Sequence, residues 1–244
     1  PVRPGMVTAK AVAAGAIRCR IASLLPEARS IRVLSLKPEK PVVFRAGQWV
    51  DFFVPDLDAV GGYSVCTPPA LYASTQHLEL AVKASAHPVA TWVHEYAAIG
   101  GSVSIKPGGD FVYDAADQRP LVLVAGGIGI TALLAIVSEH VLTRPRVPST
   151  LVYSARGFDS FAFADRLRAL ETAPLSACKV VFNNSGRDGR LSIASLESAV
   201  EHSGCALRDH LVYLCGPPSM TDSLVEAFAS AGMDEGSVRT ERWW

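Results

Sequence analysis

From Pro120 to the end of the chain, short apolar runs of strand composition alternate with runs of helical pattern, and no other feature constrains the fold as strongly. The strand-like runs are Leu121–Ala125, Thr150–Ser154, Lys179–Asn183, His210–Cys215 and Ser237–Glu241. The helical ones are Thr131–Leu142, Phe161–Leu170, Ile193–Val200 and Ser219–Ala231. Strands alternating with helices are expected to form a parallel sheet joined by right-handed crossovers. Before Pro120 the texture differs. Between residue 16 and about 111, β-type segments at Ile31–Leu36, Gln48–Val54, His77–Lys83 and Ser102–Ile105 are punctuated by Pro and Gly, with one helical stretch at Val89–Ala98. Short strands at such intervals suggest an antiparallel barrel. The expected organisation is a flexible tail over residues 1–15, a barrel domain over 16–114, a polar and acidic linker at Val112–Arg119, and an α/β domain over 119–244.

Two turns in the α/β half carry chemistry. Leu121–Ala125 runs directly into Gly126, Gly127, Ile128, Gly129, Ile130 and Thr131, after which a helix begins. Glycines there allow a ligand to approach the backbone, and a helix N-terminus offers free N–H groups to phosphate. Thr131 is placed to cap that helix or to reach the phosphate itself. Tight strand–helix packing explains the same glycines equally simply. No Lys-Ser/Thr pair follows, which disfavours a triphosphate loop. The second turn, Cys215-Gly216-Pro217-Pro218-Ser219-Met220, lies about ninety residues further on and also ends a strand. Carboxyl ends of parallel strands are where ligands bind in such sheets. The chain then closes on Glu241-Arg242-Trp243-Trp244, where an indole is placed to stack on a flat cofactor ring.

Composition narrows the alternatives. Lys plus Arg and Asp plus Glu number 23 each, so no broad basic surface for nucleic acid is indicated. The five cysteines form no Cys-x-x-Cys pair and the histidines no His-x-x-x-His pair, which argues against a disulfide framework, a zinc site or a bound iron–sulfur cluster. The apolar run Leu121–Val137 falls just short of the roughly 20 residues a membrane span needs, and its three glycines fit a strand, turn and helix better.

The ordered set of motifs resembles the ferredoxin–NADP reductase superfamily over nearly the whole chain. It comprises Ala46-Gly47-Gln48-Trp49-Val50, Tyr63-Ser64-Val65-Cys66-Thr67-Pro68, Ala81-Val82-Lys83, His87–His94, Pro107–Phe111, Gly126–Thr131, Tyr153-Ser154-Ala155-Arg156, Cys215–Met220 and the aromatic end. Within the superfamily the resemblance is strongest to the oxidoreductase NAD-binding domain-containing proteins, on the Gly-Gly-Tyr-Ser, His-Pro-x-Ala-x-Trp-Val-His and Trp-Trp elements.

The resemblance implies a six-stranded antiparallel barrel that binds FAD, followed by a five-stranded parallel, Rossmann-like domain that binds NAD or NADP. It implies a flavoprotein reductase that takes a hydride from NAD(P)H and passes electrons to a separate acceptor. A monomer with a mitochondrial location is implied as well. Tyr63 is expected to pack on the flavin ring, with Ser64 near its reactive nitrogen. Val65, Cys66, Thr67, Val82, Lys83, His87, Val89, Ala90 and Thr91 complete the flavin side. On the other side, Gly126, Gly127, Ile128, Gly129, Thr131, Pro217 and Met220 are expected around the dinucleotide. Ser154, Ala155 and Arg156 are expected at its ribose and adenine end. Cys215 and Gly216 meet the nicotinamide, Glu241 positions donor and acceptor, and Trp244 covers the second flavin face. No metal is implied.

The chain departs from the family pattern at two positions. Gly61 stands where an arginine two residues before the tyrosine ordinarily holds the flavin pyrophosphate, and His87 stands where a glycine ordinarily begins the phosphate turn. A lost charge-assisted contact costs about 1.5–3 kcal/mol. His87 and Lys83 are the candidates to replace it. Ala132 stands where the family often has proline, and the choice between NAD and NADP rests on Arg156, Arg187 or Arg190.

Overall fold

The computed structural model describes residues 15–242, so the expected tail, Trp243 and Trp244 lie outside the described residues. The first half is a six-stranded antiparallel sheet of β1 (Ile17–Ala28), β2 (Ile31–Pro38), β3 (Trp49–Phe53), β4 (Val60–Ser64), β5 (Leu78–Lys83) and β6 (Ser102–Gly108), in the order β4-β3-β6-β1-β2-β5. The bridge between Val65 and Leu80 joins the two ends of that order and closes the barrel. Inward residues Leu34, Leu36, Val50, Phe52, Leu78, Leu80 and Ile105 fill it, together with Val89 and Val93 of helix α2 (Pro88–Glu95). A short helix α1 (Pro69–Thr75) precedes β5.

The second half follows the alternation of the sequence closely. Strands β7 (Leu121–Gly126), β8 (Ser149–Ala155), β9 (Cys178–Asn184), β10 (Leu211–Gly216) and β11 (Val238–Arg242) lie parallel in the order β11-β10-β7-β8-β9. Helices α3 (Ile130–Thr143), α4 (Ala164–Glu171), α5 (Ile193–Val200) and α6 (Pro218–Ser230) make the crossovers. The long apolar run is thus strand, turn and helix, and no described helix is long and apolar enough to cross a membrane. Eleven of the fourteen residues of α3 are buried. A helix apolar on nearly every side needs cover on nearly every side. Here the sheet covers one side, and the barrel residues Ile31, Val33, Ala46, Cys66 and Ala81 belong to the same core.

Polar contacts fasten the two halves. Phe163 N–H donates to Glu27 Oε1 (2.6 Å), Arg166 pairs with Glu79 (2.7 Å), and Ala70 N–H donates to Glu139 Oε2 (2.9 Å). The acidic linker is pinned as well. Tyr113 and Phe111 are buried, Asp114 N–H donates to the Tyr213 hydroxyl, and Arg239 pairs with Asp114. Tyr113 Oη lies 2.9 Å from His140 Nδ1, while His140 Nε2 lies 2.9 Å from the Val147 carbonyl. A carbonyl only accepts, so Nε2 carries the proton and Nδ1 accepts from the tyrosine.

Candidate functional site

The two glycine turns meet at the carboxyl ends of β7 and β10, and their glycines do different work. A Cβ on Gly129 would stand 2.3 Å from the Cys215 carbonyl oxygen, and one on Gly216 would stand 3.0 Å from Gly126 Cα. A Cβ on Gly126 would meet Met220 at 2.7 Å and Pro217 at 2.8 Å. These three glycines let one turn seat on the other, as the packing explanation expected. Gly127 is different. Its φ of +53° favours glycine, and a Cβ there would meet nothing within 4 Å. It borders open space, where a ligand can approach the backbone.

That space is a cleft of about 560 Å³ running along the carboxyl edge of the parallel sheet. Gly126, Gly127 and Ile128 border it from one turn, and Pro217, Ser219 and Met220 from the other. Its far end is bordered by Ser154, Ala155 and Arg156 after β8, by Ser185 and Arg190, and by Arg29 and Ser30 at the tip of the β1–β2 hairpin. Ser154 Oγ accepts from Asn183 Nδ2 (3.0 Å), which leaves its own proton to donate.

A second cleft of about 370 Å³ opens between the barrel and the start of α3. Tyr63, Ser64, Lys83, Ser85, His87 and Ala90 border it from the barrel, and Ile128 and Thr131 from the other half. Lys83 and Ile128 border both clefts, so the two meet there. Ser64 is 3% exposed and its Oγ is buried with no hydrogen-bond partner. An unsatisfied buried hydroxyl costs about 1–3 kcal/mol, so a polar atom of a molecule in this cleft would relieve it.

The barrel's two departures from the family pattern have a physical form. A Cβ on Gly61 would stand 2.5 Å from Tyr63 Cε2 and 2.9 Å from Val89 Cγ1. The tyrosine ring therefore lies over Gly61, also packing edge-on against Phe52 at 5.8 Å, and occupies the room an arginine would need. Burial pushes its hydroxyl pKa up to about 12. At the start of α2, His87 Nδ1 accepts the Val89 N–H (3.3 Å), and Pro88 has no N–H to offer. Two of the positions a phosphate would use are thus already satisfied or lacking.

The remaining expected residues are placed unevenly. Val65, Cys66, Thr67, Val82, Val89 and Gly129 are buried behind the cleft walls, and Thr67 Oγ1 is taken by the Glu79 N–H (2.8 Å). Burial pushes the Cys66 thiol up to about 12. Thr91 donates to the Ser85 carbonyl at 3.4 Å. Thr131 neither caps α3 nor faces the larger cleft: it donates to the Ile128 carbonyl (2.9 Å), tightening the turn, and borders the smaller cleft. Cys215 and Gly216 are buried beneath the turn, with Cys215 in register with Glu241 of β11. Trp244 lies outside the described residues. Arg187 turns away, pairing with Asp188 (2.7 Å) and lying over the Phe158 ring. Sequence reasoning missed Arg29 and Ser30, because no local pattern brings a barrel hairpin to the edge of a distant sheet, and missed Ser185, which directly follows β9.

Residues 123–226 match the family model of the oxidoreductase NAD-binding domain. Oxidoreductase NAD-binding domain-containing protein 1 of Danio rerio is 32% identical over 250 residues, covering 92% of this chain and 91% of that protein. Its namesake in Homo sapiens is 31% identical over 262 residues, covering 99% and 83%. The chain belongs to this family. The fold agrees. A cytochrome P450 reductase of Amycolatopsis superposes with a TM-score of 0.78 at 24% identity, over 93% of this chain and 69% of that one. The flavohem-like FAD/NAD-binding domain of nitric oxide dioxygenase from Vibrio cholerae gives a TM-score of 0.78 at 21% identity, over 93% and 98%. Most of the residues that border the larger cleft lie on the segment that the NAD-binding model matches, and most of those that border the smaller one lie on the barrel.

Proposed function

We propose that this protein is an NAD(P)H-dependent flavoprotein reductase, with flavin in the smaller cleft, the dinucleotide in the larger one, and a separate electron acceptor. The observation that carries this reading is the junction of the two clefts at Lys83 and Ile128, beside the unsatisfied hydroxyl of Ser64. The residues present fit a flavin: a half-buried aromatic ring, a buried hydroxyl awaiting a partner and an apolar floor at Ile128. When bound, a flavin supplies an acceptor for the nicotinamide hydride and a donor of one or two electrons onward.

The chain's own residues bind and orient. Ser64 gives its hydroxyl to the ring edge, and Tyr63 bounds the ring. Gly127 lets the dinucleotide pyrophosphate approach the backbone, beside the N-termini of α3 and α6. Lys83 places a positive charge where both cofactors carry phosphate. Ile128 excludes water between the clefts. The family resemblance further assigns Cys215, Gly216 and Glu241 to the nicotinamide and Trp244 to the outer flavin face. Reacting atoms need to come within about 3–3.5 Å, so an indole on that face has to yield before transfer.

Under anaerobic conditions, the protein mixed with flavin should bleach on addition of a reduced nicotinamide, one flavin per dinucleotide. The absence of bleaching at saturating flavin would contradict the proposal. The packing of Tyr63 over Gly61 and the capping by His87 favour a second reading, a dinucleotide-binding regulatory module without a flavin of its own. A colourless protein that takes up flavin only at millimolar concentration would select it.

A further inference from the structure

The smaller cleft has the means to hold a flat ring and offers little to a phosphate. Its border carries the unpartnered hydroxyl of Ser64, the half-buried Tyr63 ring and the apolar Ile128. Lys83 is the one lysine or arginine among the described residues that border it, and Lys83 borders the larger cleft as well. The turn leading into α2 spends its polar groups on itself. Ser85 Oγ accepts the His87 N–H (3.3 Å), the Ser85 carbonyl accepts the Thr91 hydroxyl (3.4 Å), and His87 Nδ1 accepts the Val89 N–H (3.3 Å). A ring nitrogen that accepts carries no proton, so His87 caps as a neutral imidazole and adds no charge. Pro88 brings no N–H at all. At Gly61 the Tyr63 ring fills the space that a longer side chain would need. Volume points the same way. The cleft measures about 370 Å³ against about 560 Å³ for the one assigned to the nicotinamide dinucleotide, yet FAD is itself a dinucleotide and carries a larger ring.

We propose that flavin is a substrate of this protein and not a resident group: it is held by its ring, exchanges with solution at each turnover, and leaves reduced. The inference rests on the reductase reading and names the molecule that carries the electrons away. In the step, a C–H bond of the dihydronicotinamide breaks and its hydride passes to a ring nitrogen of the flavin, while water supplies the second proton. The products are the oxidised dinucleotide and dihydroflavin, so the two electrons lost by one are gained by the other. Riboflavin, FMN and FAD share the ring and differ only in phosphate and adenosine. A site that grips phosphate separates them, and a site that grips the ring does not. Each charge-assisted hydrogen bond forgone costs about 10- to 100-fold in affinity, so two of them bring a nanomolar grip down to about micromolar. What remains for a phosphate is neutral donation from Ser85 and His87 and the single charge of Lys83, divided between two clefts. A Kd of about 1–10 μM with association at about 10⁶–10⁷ M⁻¹s⁻¹ gives dissociation at about 1–100 s⁻¹. That range brackets a typical turnover of about 10 s⁻¹, so exchange keeps pace with chemistry.

The test is equilibrium dialysis of the full chain against riboflavin, FMN and FAD, followed by anaerobic turnover with flavin and reduced nicotinamide in large excess over protein. The three flavins should bind in the micromolar range within about tenfold of one another. Added salt should change these constants little, since few charges are engaged. Ser64→Ala should weaken all three by the same factor, about three- to tenfold, without loss of thermal stability. Lys83→Gln should leave riboflavin within about twofold and weaken FMN and FAD by no more than about fivefold. In turnover, each protein molecule should bleach many flavins, riboflavin included. FAD bound about 100-fold or more tighter than riboflavin, flavin retained through exhaustive dialysis, or bleaching that stops at one flavin per protein would overturn the inference and leave the reductase reading standing. Flavins that bind alike and exchange but never bleach break the reductase reading, and the inference falls with it. No flavin bound at millimolar concentration overturns both.

Discussion

At the edge of the parallel sheet, three glycines bring two turns into backbone contact and a fourth, Gly127, faces open space. At the mouth of the barrel, Gly61 has its space filled by the Tyr63 ring, and His87 caps the helix whose N–H groups a phosphate would seek. Both regions look alike in sequence, a glycine-containing turn near a helix start. They differ in what borders the vacated volume, open space beside Gly127 on one side and the protein's own side chains beside Gly61 on the other. The same residue type therefore reports ligand access only when its surroundings are known.

The largest way to break the comparison is at the turn-to-turn contact. Gly129→Ala sets a methyl 2.3 Å from a carbonyl oxygen of the backbone, which cannot step aside. A loss of about 3 kcal/mol or more in urea unfolding is expected, with dinucleotide binding lost too. Gly61→Ala presses instead on side chains, the Tyr63 ring at 2.5 Å, which can shift toward the cleft, and Val89 Cγ1 at 2.9 Å. It should cost less than about 1 kcal/mol of stability, yet alter flavin affinity severalfold, read by quenching of flavin fluorescence. If the two substitutions destabilise equally, the distinction between backbone and side-chain neighbours fails.

A smaller effect concerns the junction of the halves. Desolvation lowers the pKa of buried His140, and likewise that of His210. With the folded pKa below the unfolded value near 6.5, the unfolded state binds more protons as pH falls. Stability should be full above that unfolded value and decline as pH drops from it toward the folded pKa. Urea midpoints between about pH 5 and 8 test the sign. Tyr113→Phe leaves Nδ1 without its donor and should cost about 1 kcal/mol at pH 7.5, where both histidines are neutral. The smallest change is Ser64→Ala. It removes a buried hydroxyl with no protein partner, so stability should hold or rise by about 1 kcal/mol while flavin reduction slows.

The parallel half is legible because its central strands β7, β8 and β10 are buried on both faces and read as largely apolar runs; α5 lies at the expected Ile193–Val200. The barrel is harder. No strand is expected at β1, where register shifts at Ile21/Ser23 and Pro26/Ala28 break the alternation and Pro26 mimics a terminator. β4 hides behind Gly61-Gly62, which reads as a turn, and α1 behind Pro68-Pro69. At the site, motif order locates the turns, but which glycine packs and which faces a ligand depends on contacts ninety residues apart. That Arg29 borders the same cleft as Arg156 and Arg190 depends on how the barrel docks, which no local pattern encodes.

The central claim is that the two clefts hold flavin and nicotinamide face to face. Rapid anaerobic mixing of the flavin-loaded protein with reduced nicotinamide, followed at wavelengths beyond flavin absorption, tests it directly. A transient long-wavelength band of stacked rings, preceding bleaching and weakened in Ser64→Ala, is the predicted result. Tight binding of both molecules with neither a stacked-ring band nor bleaching would contradict it.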